Sequence, residues 1–150
     1  MLKGIANYQF GWPAGDLLVT NEIIVGISPA TRRIRELHGA EGLLAVLRAH
    51  DYFFSLSLAG AKRLLKLPEP RLRAYLSVGR DKVLTKSIPC SLIKRVDETL
   101  YAGEEIIVLD SSGELVGVGR LKLSPSEILE EQCRGEAIRL RKLAGSGEGG

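Results

Sequence analysis

Cysteine and histidine are the residue types that most often carry out chemistry, and this chain has two of each. Cys90 lies in a basic segment, where Lys86 or Lys94 could favour the thiolate form that a nucleophile needs. No base follows Cys90 at a catalytic spacing, so the sequence favours a small thiol that fills apolar space. His38 and His50 match no catalytic motif and are expected to have ordinary structural roles.

Metal and cofactor sites are equally poorly supported by the sequence. Two cysteines and two histidines nearly exclude a four-ligand structural zinc site. There is no P-loop, and Gly117 and Gly119 lack the third glycine of a dinucleotide fingerprint. We therefore expect no metal, no cofactor and no catalytic residue, and a small enzyme that uses Cys90 stays as an alternative.

Charge points to a different kind of function. Residues 71–95 hold seven lysines or arginines against one acid, whereas residues 96–136 hold three against ten. Residues 137–142 add three more cations. If segments 71–95 and 137–142 lie together, one positive face would orient the protein on a polyanion such as nucleic acid. The alternative is an ordinary solvated surface.

The helices and strands that must position these cations can be predicted from the sequence pattern. They indicate an α+β protein of two small domains. The segment Leu67–Arg71 contains two prolines and marks the boundary. We predict domains at 1–68 and 69–142 and a flexible tail at 143–150. In the first domain we expect strands at 17–27, 34–37, 43–47 and 52–58, with a turn near residues 38–42 and a helix at 59–67.

In the second domain, alternating residues predict a strand at 71–78 and a final strand at 137–141 that carries Arg139 and Arg141 on one side. A short helix is expected within 86–96, and Cys133 is expected late in a second helix. Ser124, Pro125 and Glu127 form a capping-box signature. Buried strands are predicted at 104–109 and 115–123, with Gly117 and Gly119 marking a bulge or a close backbone approach.

The second half resembles the PUA domain, a module of pseudouridine synthases and archaeosine transglycosylases. The resemblance rests on the step Gly103–Glu105, on Gly117 and Gly119 before Arg120, and on Gly135 before the last strand. It implies a mixed-strand β-barrel that grips structured RNA, normally tRNA. Family members often have glycine where this chain has Thr85.

The first half resembles the domain that precedes PUA in archaeal tRNA-guanine transglycosylases. The matching residues are NYQFG at 7–11, Arg32–Arg35 and the run LLAVLRAHDYFFSLSLAGAKRLL at 43–65. The resemblance covers residues 6–142 but not the barrel that carries catalysis and zinc in those enzymes. It implies a cytoplasmic, non-catalytic chain that binds tRNA in support of guanine exchange by a separate catalytic subunit. A free PUA factor in translation or ribosome assembly is the alternative.

Charge and resemblance together nominate the site residues. The predicted RNA-binding residues are Lys82, Lys86, Ser87, Lys94, Arg95, Arg139 and Arg141. The predicted partner-binding residues are Tyr8, Phe10 and Trp12, because aromatic side chains are enriched at the centres of interfaces. Packing of all three in the core of the first domain is the alternative. No run of residues is long and apolar enough for a membrane span, so we expect no membrane partner.

Overall fold

The structure is a computed structural model that describes residues 1–144. This part of the chain forms two units. The first unit spans Met1–Leu67 and the second begins at Pro68. The division falls where prolines remove the amide protons that a helix or a strand ladder needs.

Helices and an antiparallel sheet form the first unit. Its elements are α1 (Leu2–Phe10), α2 (Ala14–Leu18), β1 (Ile24–Ile27), β2 (Ile34–Gly39), β3 (Gly42–Leu47), β4 (Phe54–Leu56) and α3 (Leu58–Leu64). The strand order is β1-β2-β3-β4, and all neighbours are antiparallel. The predicted turn near residues 38–42 is confirmed, since Gly39 pairs with Gly42 across it. The strand predicted over 17–27 is wrong in its first part, where α2 ends.

The core of the first unit lies between its sheet and its helices. Gln9 Nε2 donates to the Phe54 carbonyl at 2.8 Å, and the Phe54 amide donates back to Gln9 Oε1 at 2.7 Å. This pair of hydrogen bonds fixes α1 on β4, with the Phe54 ring fully buried. Helix α3 packs so tightly that a Cβ on Gly60 would lie 2.1 Å from the Leu44 carbonyl oxygen.

A curled mixed sheet forms the second unit. Its elements are β5 (Arg73–Leu76), β6 (Ser87–Pro89), β7 (Ile93–Val96), β8 (Glu105–Leu109), β9 (Leu115–Leu121), α4 (Pro125–Ile128) and β10 (Glu136–Leu143), with 3₁₀ turns at Arg80–Lys82 and Cys90–Leu92. The strand order is β6-β10-β9-β8-β5-β7, and β5 and β8 are the parallel pair. The turn Cys90–Leu92 joins the two outer strands directly, so the sheet curls into a half-barrel. The predicted α+β class with a mixed-strand barrel is confirmed.

Two local predictions in this unit are confirmed. Ser124 Oγ accepts from the Glu127 amide, and the Glu127 side chain accepts from the Ser124 amide, so the capping box forms. In β9, a Cβ on Gly117 would lie 2.3 Å from the Lys142 carbonyl oxygen, and one on Gly119 would lie 2.0 Å from that of Arg139. These glycines therefore let β10 approach β9 closely.

The short helix predicted within 86–96 is reduced to a single 3₁₀ turn, Cys90–Leu92, and strands occupy most of the rest of the segment. That segment forms β6, the turn Cys90–Leu92 and β7. Each strand has its partner far away in the sequence, because β6 pairs with β10 and β7 pairs with β5. Distant pairing overrides the local pattern here.

Cys90 and Cys133 form a disulfide, with their Cα atoms 6.0 Å apart. This corrects the prediction that Cys90 is a free apolar filler. It also corrects the helical position predicted for Cys133, which lies beyond the end of α4. The bond ties the turn Cys90–Leu92 to the segment before β10, where Cys90 N also donates to the Gly135 carbonyl at 3.1 Å.

The last strand reaches Leu143, which the sequence assigns to the flexible tail. The rest of the predicted tail, from residue 145 onward, lies outside the described residues.

Candidate nucleic-acid interface

The loop before β6 carries two lysines that are free to meet an anion. Lys82 ends the 3₁₀ turn Arg80–Lys82, and Lys86 directly precedes β6. Both side chains are exposed, and neither forms an ion pair within residues 1–144. Leu84 lies between them and is 85% exposed. Sequence reasoning did not select Leu84, although an apolar residue between two lysines in a loop is the signal that could have found it.

Thr85 and Ser87 fix the shape of this loop. Thr85 Oγ1 accepts from the Ser87 amide at 3.3 Å and donates to the Ser87 carbonyl at 3.2 Å. Thr85 thus uses its hydroxyl to hold the backbone at the start of β6. Ser87 is half-buried and lies opposite Arg139 in the β6–β10 ladder.

Arg139 extends the same surface onto β10. Its side chain is 59% exposed and forms an ion pair with Glu136 at 3.3 Å. A hydrogen bond from the Ser87 side chain and the nearby Arg139 charge hold the pKa of Glu136 below its ordinary value, against the opposing effect of burial. The Leu140 amide donates to the Lys86 carbonyl at 2.7 Å. The fold therefore brings Lys86, Ser87 and Arg139 together.

Arg141 has a different environment. Its guanidinium donates to both oxygens of Glu105, with Nη1 to Oε2 at 3.1 Å, and the Glu105 side chain is 1% exposed. Arg120 Nε lies 3.6 Å from the same carboxylate. Arg141 therefore stabilises the sheet, since a buried carboxylate needs its cations, and its contact with RNA stays a prediction.

Lys94 and Arg95 lie on β7, at the other edge of the strand order from β6. Both are exposed, and the Arg95 guanidinium lies 5.5 Å from the centre of the Tyr75 ring. Tyr75 Oη donates to Glu69 Oε1 at 2.7 Å, and burial together with this bond raises the tyrosine pKa. The two residues form a second basic patch, with Tyr75 held as its aromatic support.

The three predicted partner-binding aromatics are not equivalent. Phe10 is 4% exposed and belongs to the core, in agreement with the alternative of core packing. Tyr8 is 81% exposed and Trp12 is 72% exposed. The Tyr8 ring stacks on Phe53 with centroids 5.9 Å apart.

The residues considered for catalysis, Cys90, His38 and His50, each have a side-chain partner in the structure. Cys90 is bonded to Cys133, so the alternative of an enzyme with a Cys90 thiolate nucleophile loses its nucleophile. Within residues 1–144, His, Cys, Asp and Glu form no group of three or more that could hold a metal ion. His38 instead contacts Glu36 at 2.9 Å, and His50 lies 3.5 Å from Asp51. No helix in the described part of the chain is long and apolar enough to cross a bilayer.

Comparison with known proteins identifies both units. Residues 1–70 match the family model of the patch-forming domain C2 of tRNA-guanine transglycosylase. Residues 82–144 match the PUA domain.

Curated relatives are archaeal tRNA-guanine(15) transglycosylases. The chain is 33% identical over 144 residues to the enzyme of Methanobrevibacter smithii, covering 94% of this chain and 22% of that protein. It is 30% identical over 144 residues to the enzyme of Pyrococcus abyssi, covering 94% of this chain and 24% of that protein. The chain thus spans about a quarter of the length of these relatives.

Solved structures agree on the fold. A hypothetical protein from Pyrococcus horikoshii superposes with a TM-score of 0.69 at 13% identity, covering 95% of this chain and 87% of that one. A PUA domain protein from Thermoplasma acidophilum gives a TM-score of 0.64 at 15% identity, with 96% and 86% covered. The chain therefore carries a transglycosylase C2 domain followed by a PUA domain, and it resembles the C-terminal region of archaeal tRNA-guanine transglycosylase.

Proposed function

We propose that this chain binds structured RNA through a loop surface made of Lys82, Leu84, Lys86, Ser87 and Arg139. The observation that carries the proposal is that Lys86 and Ser87 lie beside Arg139 at one edge of the PUA sheet, with the unpaired Lys82 in the loop that leads to them. Lysine and arginine neutralise phosphates and release counterions, which supplies most of the affinity for a nucleic acid. The exposed Leu84 and the hydroxyl of Ser87 beside these cations can meet a base and a ribose.

In this proposal the bound RNA is tRNA, because of the names of the relatives. They are named as tRNA-guanine(15) transglycosylases, and the part of them that this chain matches lies in their C-terminal region. We infer that the chain holds tRNA for guanine exchange, and that the exchange itself takes place on a separate catalytic subunit. In this arrangement Tyr8 and Trp12, the two exposed aromatics of the first unit, contact that subunit.

Binding of an unmodified tRNA transcript to the full chain tests the RNA proposal. The double variant Lys82→Gln/Lys86→Gln should weaken binding about tenfold and reduce the slope of log affinity against log salt by about 1.4–1.8. Lys62→Gln/Lys66→Gln removes the same charge from exposed lysines on and just after α3 and should change affinity less than twofold. Equal effects of the two double variants would count against the loop surface.

Guanine exchange by the catalytic subunit of the same organism tests the partner proposal. Adding the full chain should accelerate exchange, and Tyr8→Ala/Trp12→Ala should remove most of the acceleration while tRNA affinity stays unchanged. If the chain has no effect on exchange but copurifies with ribosomes, the free PUA factor in translation becomes the better assignment.

A further inference from the structure

The first unit holds a cleft of about 690 Å³ whose lining contains four arginines and no acidic residue. The cleft is formed by residues 28–35, which lead from β1 into β2, and by residues 47–52, which lead from β3 towards β4. The arginines are Arg32, Arg33, Arg35 and Arg48. This cluster belongs to neither the loop surface nor the exposed aromatics described above.

Most of the positive charge in this cleft is uncompensated. Arg32, Arg33 and Arg35 are exposed, and none of them forms an ion pair within the described residues. Arg48 is the paired member, with its Nη2 3.1 Å from Asp51 Oδ2. Burial acts to raise the pKa of Asp51, but the Phe53 amide and Arg48 together lower it, so Asp51 stays ionised beside Arg48. Three cations thus remain for a ligand.

The turn that carries these arginines is held by its own backbone. The Ser28 amide donates to the Arg33 carbonyl at 2.9 Å, and the Arg32 amide donates to the Ser28 carbonyl at 2.7 Å. Arg32 occupies the left-handed region with φ 59°. A closed turn of this kind presents its cations before a ligand arrives, which reduces the ordering cost of binding.

The rest of the cleft lining is mostly apolar and aromatic. Ile5, Ile34 and Leu47 belong to it, and so does Tyr52, which is 49% exposed. The Arg33 guanidinium lies 5.5 Å from the centre of the Tyr52 ring and donates a hydrogen bond to the Tyr52 hydroxyl. A planar cation and an aromatic ring beside an apolar wall provide a surface on which an unstacked base can lie.

We propose that this cleft binds an unpaired nucleotide of RNA, with the phosphate between Arg32 and Arg35 and the base against Tyr52 and Ile34. The inference rests on the proposed function only in that the ligand is RNA, because it uses no residue of the second unit. A purely acidic peptide would use the arginines but would leave the apolar wall and the tyrosine without a partner. The mixed lining therefore favours a nucleotide.

Binding of a fluorescein-labelled single-stranded octaribonucleotide to the full chain tests the inference. Arg32→Gln/Arg35→Gln should raise Kd about tenfold or more and lower the salt slope by about 0.7, which corresponds to the loss of the one phosphate contact that the two arginines share on a single strand. Lys62→Gln/Lys66→Gln is the charge-matched control in the same unit and should change Kd less than twofold. An unchanged Kd in the arginine variant would overturn the proposal.

Arginine modification by phenylglyoxal, read by mass spectrometry, gives a second measurement that needs no variant. The octaribonucleotide should protect Arg32, Arg33 and Arg35, whereas a poly-glutamate peptide at the same charge concentration should protect them less. Protection by poly-glutamate alone would overturn the RNA inference in favour of a protein ligand.

The two proposals fail separately. If Lys82→Gln/Lys86→Gln leaves tRNA binding intact while Arg32→Gln/Arg35→Gln weakens it, the loop surface is wrong and the cleft stands. The reverse result overturns the cleft and leaves the loop surface. A chain that binds neither RNA overturns both.

Discussion

Arg141 on β10 reaches across β9 to Glu105 on β8, and its guanidinium donates to both oxygens of that buried carboxylate. Arg120, on the strand between them, approaches the same carboxylate from β9. Arg139, two residues before Arg141, points its side chain outward at 59% exposure. The two arginines of β10 thus have different roles. Arg141 stabilises the sheet, and Arg139 is exposed to a ligand.

Arg141→Gln should lower the free energy of unfolding of the second unit by about 2 kcal/mol, because Glu105 loses a charged donor in a buried position. Arg139→Gln should change it by less than about 0.5 kcal/mol, since its ion pair is exposed. Urea unfolding followed by circular dichroism measures both. Binding of the tRNA transcript should show the opposite order, with the larger loss in Arg139→Gln. Similar stabilities for the two variants would contradict the different roles of Arg141 and Arg139.

Gly119→Ala should destabilise the second unit by about 3 kcal/mol or prevent its folding, because the new Cβ would overlap the Arg139 carbonyl and push β10 away from β9. Gly4→Ala is the matched control in a helix, where a Cβ meets nothing within 4 Å. That change should stabilise α1 by about 0.5–1 kcal/mol. Thermal unfolding of the two variants compares them, and a stable Gly119→Ala protein would show that the strands can separate.

Much of the fold could be predicted because its signals are local. The hairpin between β2 and β3 has glycines at its turn, and the capping box lies within four consecutive residues. Helix α1 was missed because it buries only Ala6 and Phe10, too narrow a stripe to indicate an amphipathic helix. Strands β6 and β7 were missed because their partners are distant in sequence.

The candidate site could be predicted only in outline. Charge counting found the basic segments but could not separate Arg139 from Arg141, because the distinction depends on Glu105, which is 36 residues away. The disulfide could not be predicted from the sequence either, since its cysteines are 43 residues apart and the chain has no further cysteines that would indicate a disulfide framework. The arginine cleft depends on two loops that only the folded sheet brings together.

Reduction of the disulfide should destabilise the second unit. Cross-linking residues separated by 43 positions is worth about 4 kcal/mol in loop-closure entropy. Hydrogen exchange of the amides in β10 should therefore accelerate in dithiothreitol, and Cys90→Ser/Cys133→Ser should behave like the reduced protein. In the denatured, unreduced chain a thiol reagent should find no free thiol. Two reactive thiols before reduction would contradict the bond.

The ion pair between Glu41 and Arg63 should make the free energy of unfolding of the first unit depend on pH in the acid range. Arg63 Nε donates to Glu41 Oε2 at 2.7 Å and Nη2 donates to Oε1 at 2.8 Å, while Nη1 donates to the Leu18 carbonyl at 3.3 Å. One guanidinium thus joins the β2–β3 turn, α3 and the end of α2. Its hydrogen bonds to the carboxylate, aided by the backbone, lower the pKa of Glu41 from 4.5 to about 2.

Because the folded pKa lies below the unfolded value, the contribution of Glu41 to stability is fully present above about pH 4.5 and is lost as pH falls towards 2. The difference in stability between the protein and its Glu41→Gln variant should therefore be constant at neutral pH and shrink across that window. Urea unfolding followed by the fluorescence of Trp12 measures it at several pH values. Carbon-13 NMR of the Glu41 carboxyl should show titration near pH 2. A midpoint near 4.5 would mean that Arg63 does not hold the carboxylate in solution.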